Sequence, residues 1–393
     1  MKESTKLIVL SHMRPKGDSG VQTHALQVLA LAQARGVESV LRTPYDRQRT
    51  AFSRAQSQLL KRVRNVAPYF AESRLWALDD AELARGLGQE LSGREGTVVL
   101  YAQSPRSALV AKEAASRAGI THRLVWTAHF NVSEATEAVN RGSIEVNSFG
   151  YRRRERDEAK AMEIADAVTT PSLFLRDILC TRHLDFADKV VHVPNFVNLP
   201  ETAHSADGGV VEVRWDLISI GSLERRKNQA FLLDVLYEAK KLGHSYSLNL
   251  VGDGPDRELL EGKVDHLQLR DQVTFSGAVL DAGTLIAHAR AFVHSSLQEN
   301  LPIAIIEALA AGRPVFAGAV GGIPELISDD IEGFIWPLED PKSAAQILIN
   351  IFNTSDRLSS SGLAARRRFR KNFSPEAAGN RLLSTLLGAH YAS

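Results

Sequence analysis

The chain has 393 residues, 47 Lys and Arg against 46 Asp and Glu, a formal net charge of +1, and 44% hydrophobic against 24% charged residues. This composition excludes a disordered chain, a fibrous one and a globally basic nucleic-acid binder, and the length admits two domains, each with its own core. The one cysteine, Cys180, excludes an internal disulfide and a cysteine-based metal site.

The chain starts with "MKESTKLIVLSHMRPKG", whose apolar run is too short for a signal-peptide core. No uncharged apolar stretch of about 18 residues follows, so no membrane-spanning helix is expected. The expectation is a cytoplasmic protein, with peripheral contact on the inner face of a membrane left open. "KLIVLSH" (6–12) reads as a strand and "VQTHALQVLALAQARG" (21–36) as a helix closed by Gly36. "GTVVLYAQ" (96–103), "HRLVWTAH" (122–129), "ADAVTTPS" (165–172) and "KVVHVPN" (189–195) read as further strands, with helical segments between them. A polar, glycine-containing stretch at 196–213 is the best linker, and after it the alternation restarts. "WDLISIGS" (215–222), "YSLNLVGDG" (246–254), "QVTFSG" (272–277), "RAFVHSS" (290–296) and "PVFAGAVGG" (314–322) are its strands. The last segment, 374–391, has helical spacing, with Ser374 as N-cap and Pro375 at the first helical position.

Strand, helix, strand in this rhythm indicates parallel sheets covered by helices. The expected fold is α/β, with two Rossmann-like parallel-sheet domains facing a central cleft. The expected boundaries are 1–197 for the N-terminal domain, 210–373 for the C-terminal domain and 374–393 for a helix packing back on the first. Such sheets bind ligands at the carboxyl ends of their strands, so chemically unusual residues at strand ends carry the most information.

"HSSLQENLPIAIIEALAAGRPV" (294–315) holds two glutamates, Glu299 and Glu307, in an otherwise apolar run. If the intervening residues were all helical, the two carboxylates would stand roughly 12 Å apart along the axis. That is too far for a catalytic pair but suits two contacts to one extended ligand. Amides of Asn300 and Leu301 at the helix start are placed to receive an anion. The alternative is a buried arginine paired with Glu307. In "ISIGSLERRKNQ" (218–229), Gly221 permits a tight strand exit and Lys227 presents a compact positive charge suited to phosphate, or merely a solvated loop. "VGDGPDRELLEG" (251–262) lacks G-x-G-x-x-G, and so fails as a dinucleotide fingerprint. Gly20 precedes the first helix, where glycine lets backbone approach a phosphate or sugar or simply makes a turn. His129 ends a strand and is read as either structural or catalytic.

No Asp-x-Asp triplet occurs, so the usual carboxylate pair for a metal-chelated sugar nucleotide is missing, and no metal ligand set is expected. The stretch 42–66 carries Arg42, Arg47, Arg49, Arg54, Lys61, Arg62 and Arg64 among Phe52, Leu59, Leu60 and Val63. It reads as a contact for an anionic acceptor or an anionic membrane, or as a solvated basic face. "YRRRERDEAK" (151–160) reads as a salt-bridged helix surface.

Together, "SGVQTH", "TAHF", "ADAVTTPS" with "VPNFVN", "GSLERRKN", "VGDGP", "VTFSGAV" and "ENLPIAIIEALAAGRPVFAGAVGGIPELI" resemble the retaining glycosyltransferases of GT-B fold, family 4 (group 1 glycosyl transferases). The last segment is the most specific, with the family's E-x7-E element followed by A-x-G-x-P-V and G-G-x-x-E. The resemblance implies a retaining, metal-independent transfer of a hexose-type sugar from a nucleoside diphosphate sugar, UDP- or GDP-linked, with no cofactor. The acceptor it implies is a hydroxyl of a glycan or lipid-linked molecule in cell-surface polysaccharide, lipopolysaccharide or glycolipid synthesis, with no nucleic-acid partner. It places Lys227 at the diphosphate, Glu307 at the ribose, Glu299 near the sugar ring, and Asn300 and Leu301 at phosphate or sugar. Gly20 and His129 would complete the site, and Gly252 to Pro255, including Gly254, with Gly277, would border the base.

One position departs from the family pattern. Ser222 stands where G-R-L-x-x-x-K has an arginine, removing a bidentate phosphate donor; Arg225 and Arg226 stand nearby as candidates for the missing charge. Two alternatives follow: a sugar-nucleotide 2-epimerase of the same fold, and a degenerate scaffold that binds a partner without catalysis.

Overall fold

A computed structural model describes residues 5–15, 19–46, 56, 58–60, 62–63, 68–198, 212–354 and 356–388. The chain forms two compact units, one running to Val193 and taking in the helix Asn380–Leu387, the other from Pro194 to Ala378.

The first unit holds six parallel strands: β1 (Lys6–Leu10), β2 (Glu38–Arg42), β3 (Val98–Ala102), β4 (His122–Thr127), β5 (Ala167–Thr170) and β6 (Val190–His192). Their order is β2-β1-β3-β4-β5-β6, and β1 pairs with β3 from Lys6 opposite Val98 to Leu10 opposite Ala102. Every residue of β1 and β3 is buried, the pattern of strands covered on both faces. Ile8, Leu10, Leu100, Leu124 and Trp126 form the centre of its core with Leu83, Leu87 and Leu91 of the helix Pro68–Leu91. Five helices of this unit begin on a serine, Ser19, Ser104, Ser133, Ser148 and Ser172, whose hydroxyl accepts from an amide of the first turn. Each serine satisfies a donor that has no partner within its helix, and this fixes where each helix begins.

The second unit repeats the design with β7 (Trp215–Ile220), β8 (Leu248–Val251), β9 (Val273–Gly277), β10 (Ala289–His294), β11 (Val315–Ala317) and β12 (Gly333–Ile335), in the order β12-β11-β10-β7-β8-β9 and again all parallel. The helices Gln229–Lys241 and Pro341–Asn353 pack on one side around Phe231, Leu236, Trp336 and Leu348. The helices Ile303–Ala310 and Arg357–Asn372 pack around Phe292, Ile305, Leu309 and Phe369. The expected two-domain parallel α/β architecture is therefore the one observed.

Strand order reverses between β1 and β3 in the first sheet and between β7 and β10 in the second. At such reversals the connecting helices leave to opposite faces, opening a crevice beyond the carboxyl ends of the strands.

The last helix differs from its sequence reading. Ser374 Oγ accepts from the Ala377 amide, a π turn covers Pro375–Gly379, and regular helix begins only at Asn380. Among the described residues no helix is long and apolar enough to cross a membrane.

Candidate active site

The reversal between β7 and β10 brings together the two loops that hold the acidic and basic candidates. Gly221 follows β7 at φ 155°, and Gly252 follows β8 at φ 139°. A Cβ on Gly252 would lie 2.0 Å from Gly221 O, and one on Gly254 would lie 2.3 Å from Leu223 O. The two loops thus meet backbone to backbone, tied by Gly221 N to Val251 O and Leu223 N to Asp253 O, both 3.0 Å. The glycines of "VGDG" serve this close approach. Beyond the turn, Ser295 Oγ donates to Lys227 O at 2.8 Å and Leu297 N to Arg226 O at 2.9 Å. The loop after β10 thereby holds the short 3-10 turn Arg225–Lys227 in place.

Lys227 Nζ donates to Glu299 Oε1 at 2.6 Å, and His294 Nε2 lies 3.1 Å from the same oxygen. Glu299 and His294 are buried, whereas the lysine side chain is 18% accessible. Burial alone would raise the Glu299 carboxyl, but the Lys227 charge and the His294 hydrogen bond outweigh it and hold it well below the usual carboxylate range. Sequence reading missed His294, although it ends the strand "AFVH", the position that singled out His129.

Ser222 is exposed, and its hydroxyl donates to Glu224 Oε1 at 2.9 Å. Arg226 donates to that same oxygen at 2.7 Å and to Gln298 O at 3.3 Å. The nearby guanidinium is therefore committed to Glu224, and Arg225 is exposed.

The segment between the two glutamates is helical only from Ile303 to Ala310, with Pro302 at the N-cap. A proline disfavours helical backbone at the residue before it, so 299–302 runs as an irregular turn and the spacing computed for a continuous helix does not apply. Asn300 and Leu301 lie in that turn, both buried. Asn300 O accepts from Gly322 N at 2.9 Å and Leu301 O from Asn195 Nδ2 at 3.0 Å. A Cβ on Gly321 would fall 1.7 Å from Glu299 O, so the "GG" of "AVGGIPE" permits a backbone contact that fixes Glu299. The helices starting at Gln229, Arg257, Ile303 and Ile323 have no side-chain cap, in contrast to the serine-capped first unit.

Glu307 makes no ion pair or side-chain hydrogen bond among the described residues, so the paired-arginine alternative is absent there. Its carboxylate lies against Gly283, where a Cβ would stand 2.8 Å from Cδ. Burial first, and the Asp281 charge second, push this carboxyl up to about 7. An acid held this way gains from any ligand that donates hydrogen bonds to it.

In the first unit, Gly20 opens the helix Gly20–Ala34 behind the Ser19–Gln22 capping box. His129 follows β4, with Nε2 3.0 Å from Gln103 Oε1 and its ring edge-on to His24 at 5.1 Å. Burial and the neighbouring His24 hold His129 well below the usual imidazole range, so it is a neutral imidazole. Of the basic stretch, Arg47, Arg49, Phe52, Arg54, Lys61 and Arg64 lie outside the described residues. Arg42 pairs with Glu90, which also pairs with Lys6, an ion network at the sheet margin. The helix Phe149–Ile164 has one pair of the expected surface kind, Arg153 to Asp157 at 3.7 Å, whereas Arg154, which pairs with Glu72 at 2.6 Å, is buried.

Two family profiles match. Residues 19–201 match Glycosyltransferase Family 4 and residues 201–372 match Glycosyl transferases group 1. Alpha-monoglucosyldiacylglycerol synthase of Streptococcus pneumoniae is 28% identical over 188 residues, 44% of this chain and 41% of its own length. The lipopolysaccharide core biosynthesis glycosyltransferase LpsD of Rhizobium meliloti is 37% identical over 106 residues, 27% of this chain and 30% of its own. The match thus spans less than half the length of these curated relatives. Among solved structures, Anabaena Alr3699/HepE in complex with UDP and glucose aligns with a TM-score of 0.67 at 17% identity, covering 97% of this chain and 99% of that one. Sucrose-phosphate synthase from Thermosynechococcus elongatus aligns at 0.67 and 18%, covering 99% and 100%. At these identities the likeness is one of fold.

Proposed function

The chain belongs to the family 4, group 1 glycosyltransferases of GT-B fold, and from that membership we propose that it moves a hexose-type sugar from a nucleoside diphosphate sugar to an acceptor hydroxyl, with retention and without a metal. The acceptor class we assign is a glycan or lipid-linked glycan of polysaccharide or glycolipid synthesis, the field in which its relatives are named.

The observation that carries the donor assignment is the company of two opposite features in one unit. Lys227 supplies a cation at a strand-order reversal, and Glu307 supplies a half-buried carboxylate with no ion-pair or hydrogen-bond partner among the described residues. A nucleoside diphosphate sugar offers ribose hydroxyls to Glu307 and phosphate oxygens to Lys227, whose ammonium is bound to Glu299 in the free protein and carries further N–H donors. Leaving of the diphosphate places negative charge on its oxygens and positive charge on the anomeric carbon. Lys227 and the uncapped helix starts stabilise the first. Glu299, held ionised, faces the second as an electrostatic partner, and the acceptor attacks the face the diphosphate leaves. Arg226 and Ser222 border the phosphate arm, Gly254 shapes the base-side loop, and Asn300 and Leu301 line the sugar end.

The test is incubation with UDP-, GDP-, ADP- and TDP-sugars, followed by NMR of the product's anomeric configuration. A product of retained configuration supports the reading, and an inverted one rejects it. The scaffold alternative, favoured only by Ser222 and the Glu224 pairing, is separated by nucleoside diphosphate release, which a scaffold does not show.

A further inference from the structure

The strand-order reversal of the first sheet, between β1 and β3, carries its own cluster of side chains, none of which the donor chemistry uses. His12 stands two residues beyond β1, and Arg106 is the second residue of the helix Pro105–Ala118 that follows β3. Both meet Asp80 of the helix Pro68–Leu91. His12 Nε2 lies 2.8 Å from Asp80 Oδ1, and Arg106 Nε donates to that same oxygen at 2.7 Å. Asp80 Oδ2 has no hydrogen-bond partner among the described residues, and the side chain is 27% accessible.

The arginine that orients Asp80 is itself clamped. Its guanidinium carbon lies 4.6 Å from the centroid of the Trp76 ring, and Nη2 donates to Trp76 O. Arg153 and Arg154 lie at 5.1 and 4.5 Å from the same ring. Arg106 is therefore rigid and has two of its donor groups committed. Burial raises the Asp80 carboxyl, but His12 and Arg106 outweigh it and keep it ionised.

An ionised carboxylate with one oxygen saturated and the other open can take a cation, or a neutral donor. Arg106 already balances its charge, which disfavours a cation. An anion would meet the carboxylate and find no uncommitted Nε or Nη2 on Arg106. What fits is a neutral hydroxyl donor, for which a rigid carboxylate oxygen at a strand-end crevice is a strong acceptor. We propose that Asp80, held by His12 and Arg106, is a specificity-determining residue that receives a hydroxyl of a neutral sugar unit of the acceptor through Oδ2. This rests on the glycosyl-transfer reading given above, to which it adds the chemical class of the acceptor and the residue that selects it.

The test uses saturation-transfer NMR on the full chain with UDP and, one at a time, the methyl glycosides of glucose, galactose, mannose and N-acetylglucosamine. At least one glycoside should receive saturation from the wild type. Asp80→Ala should weaken that binding by about tenfold or more, the scale of a lost hydrogen bond to a charged group. Asp80→Asn keeps the shape and an amide contact to Arg106, guards against misfolding of the alanine variant, and should weaken it by a smaller factor. UDP binding in the same tubes should change by less than about twofold, which a general loss of structure would not allow. No signal from any glycoside with the wild type, or undiminished signal with Asp80→Ala, overturns the proposal. Absence of UDP binding to the wild type overturns the donor reading instead, and the glycoside signals are judged separately.

Discussion

Lys227 Nζ and Glu299 Oε1 stand 2.6 Å apart, and His294 shares the glutamate oxygen at 3.1 Å. In the free protein, the lysine assigned to the diphosphate is the counter-ion of a buried carboxylate. Removing one partner strands the other, at a cost of about 3–5 kcal/mol. Lys227→Ala should therefore lose both transfer and stability. The double variant Lys227→Met/Glu299→Gln should recover most of the stability in denaturant melts while staying inactive. Activity at the wild-type rate in Lys227→Ala would contradict the phosphate role.

Glu307 should make stability depend on pH near neutrality. Its folded carboxyl is raised from 4.5 to about 7, so the folded state holds a proton that the unfolded chain has already released. Its favourable contribution is complete below the unfolded value and is lost as pH rises toward about 7. At 1.36 kcal/mol per unit the swing is about 3 kcal/mol. Glu307→Gln should remove that slope and raise the melting temperature at pH 8, and urea melts between pH 5 and 8 check it.

In the proposed donor site Ser222 brings no cation to the phosphate arm, and Glu224 holds Arg226. Glu224→Ala should free Arg226, and Ser222→Arg should add a second guanidinium. Each is expected to lower the donor KM by about threefold to tenfold, the scale of one exposed charge-assisted contact. The combined variant should exceed either alone in donor titrations. No change in KM for either single variant would show that charge is not limiting.

Gly321 has φ 55° and sits against Glu299 O. Gly321→Ala adds strain of about 1–3 kcal/mol and a direct clash with the backbone that carries Glu299. Transfer should fall more steeply than the melting temperature, because the displacement lands on the charged pair. Equal turnover in the variant would show that the Glu299 backbone is not critical.

Much of this arrangement was legible in the sequence because its signals are local. Uninterrupted apolar strands and the turns that follow them report on neighbours a few residues away, whereas the pairing of Lys227 with Glu299 joins positions far apart in the chain and was not read. The Asp80 cluster was not legible. His12, Asp80 and Arg106 come from distant points of the chain, and only the β1–β3 pairing brings them to one edge. Asp80 sits inside a helix, where an acidic residue reads as an ordinary solvent-facing one. His294 was missed for a different reason: its role depends on which oxygen of Glu299 it meets.

Calorimetric titration of UDP and GDP into the wild type, Glu307→Gln and Lys227→Met bears most directly on the donor site. One of the two nucleotides should bind the wild type, and each variant should bind it at least about tenfold more weakly, as loss of a charged hydrogen-bond partner implies. Failure of both nucleotides to bind the wild type, or equal affinity in all three proteins, would contradict the assignment of Lys227 and Glu307 to the donor.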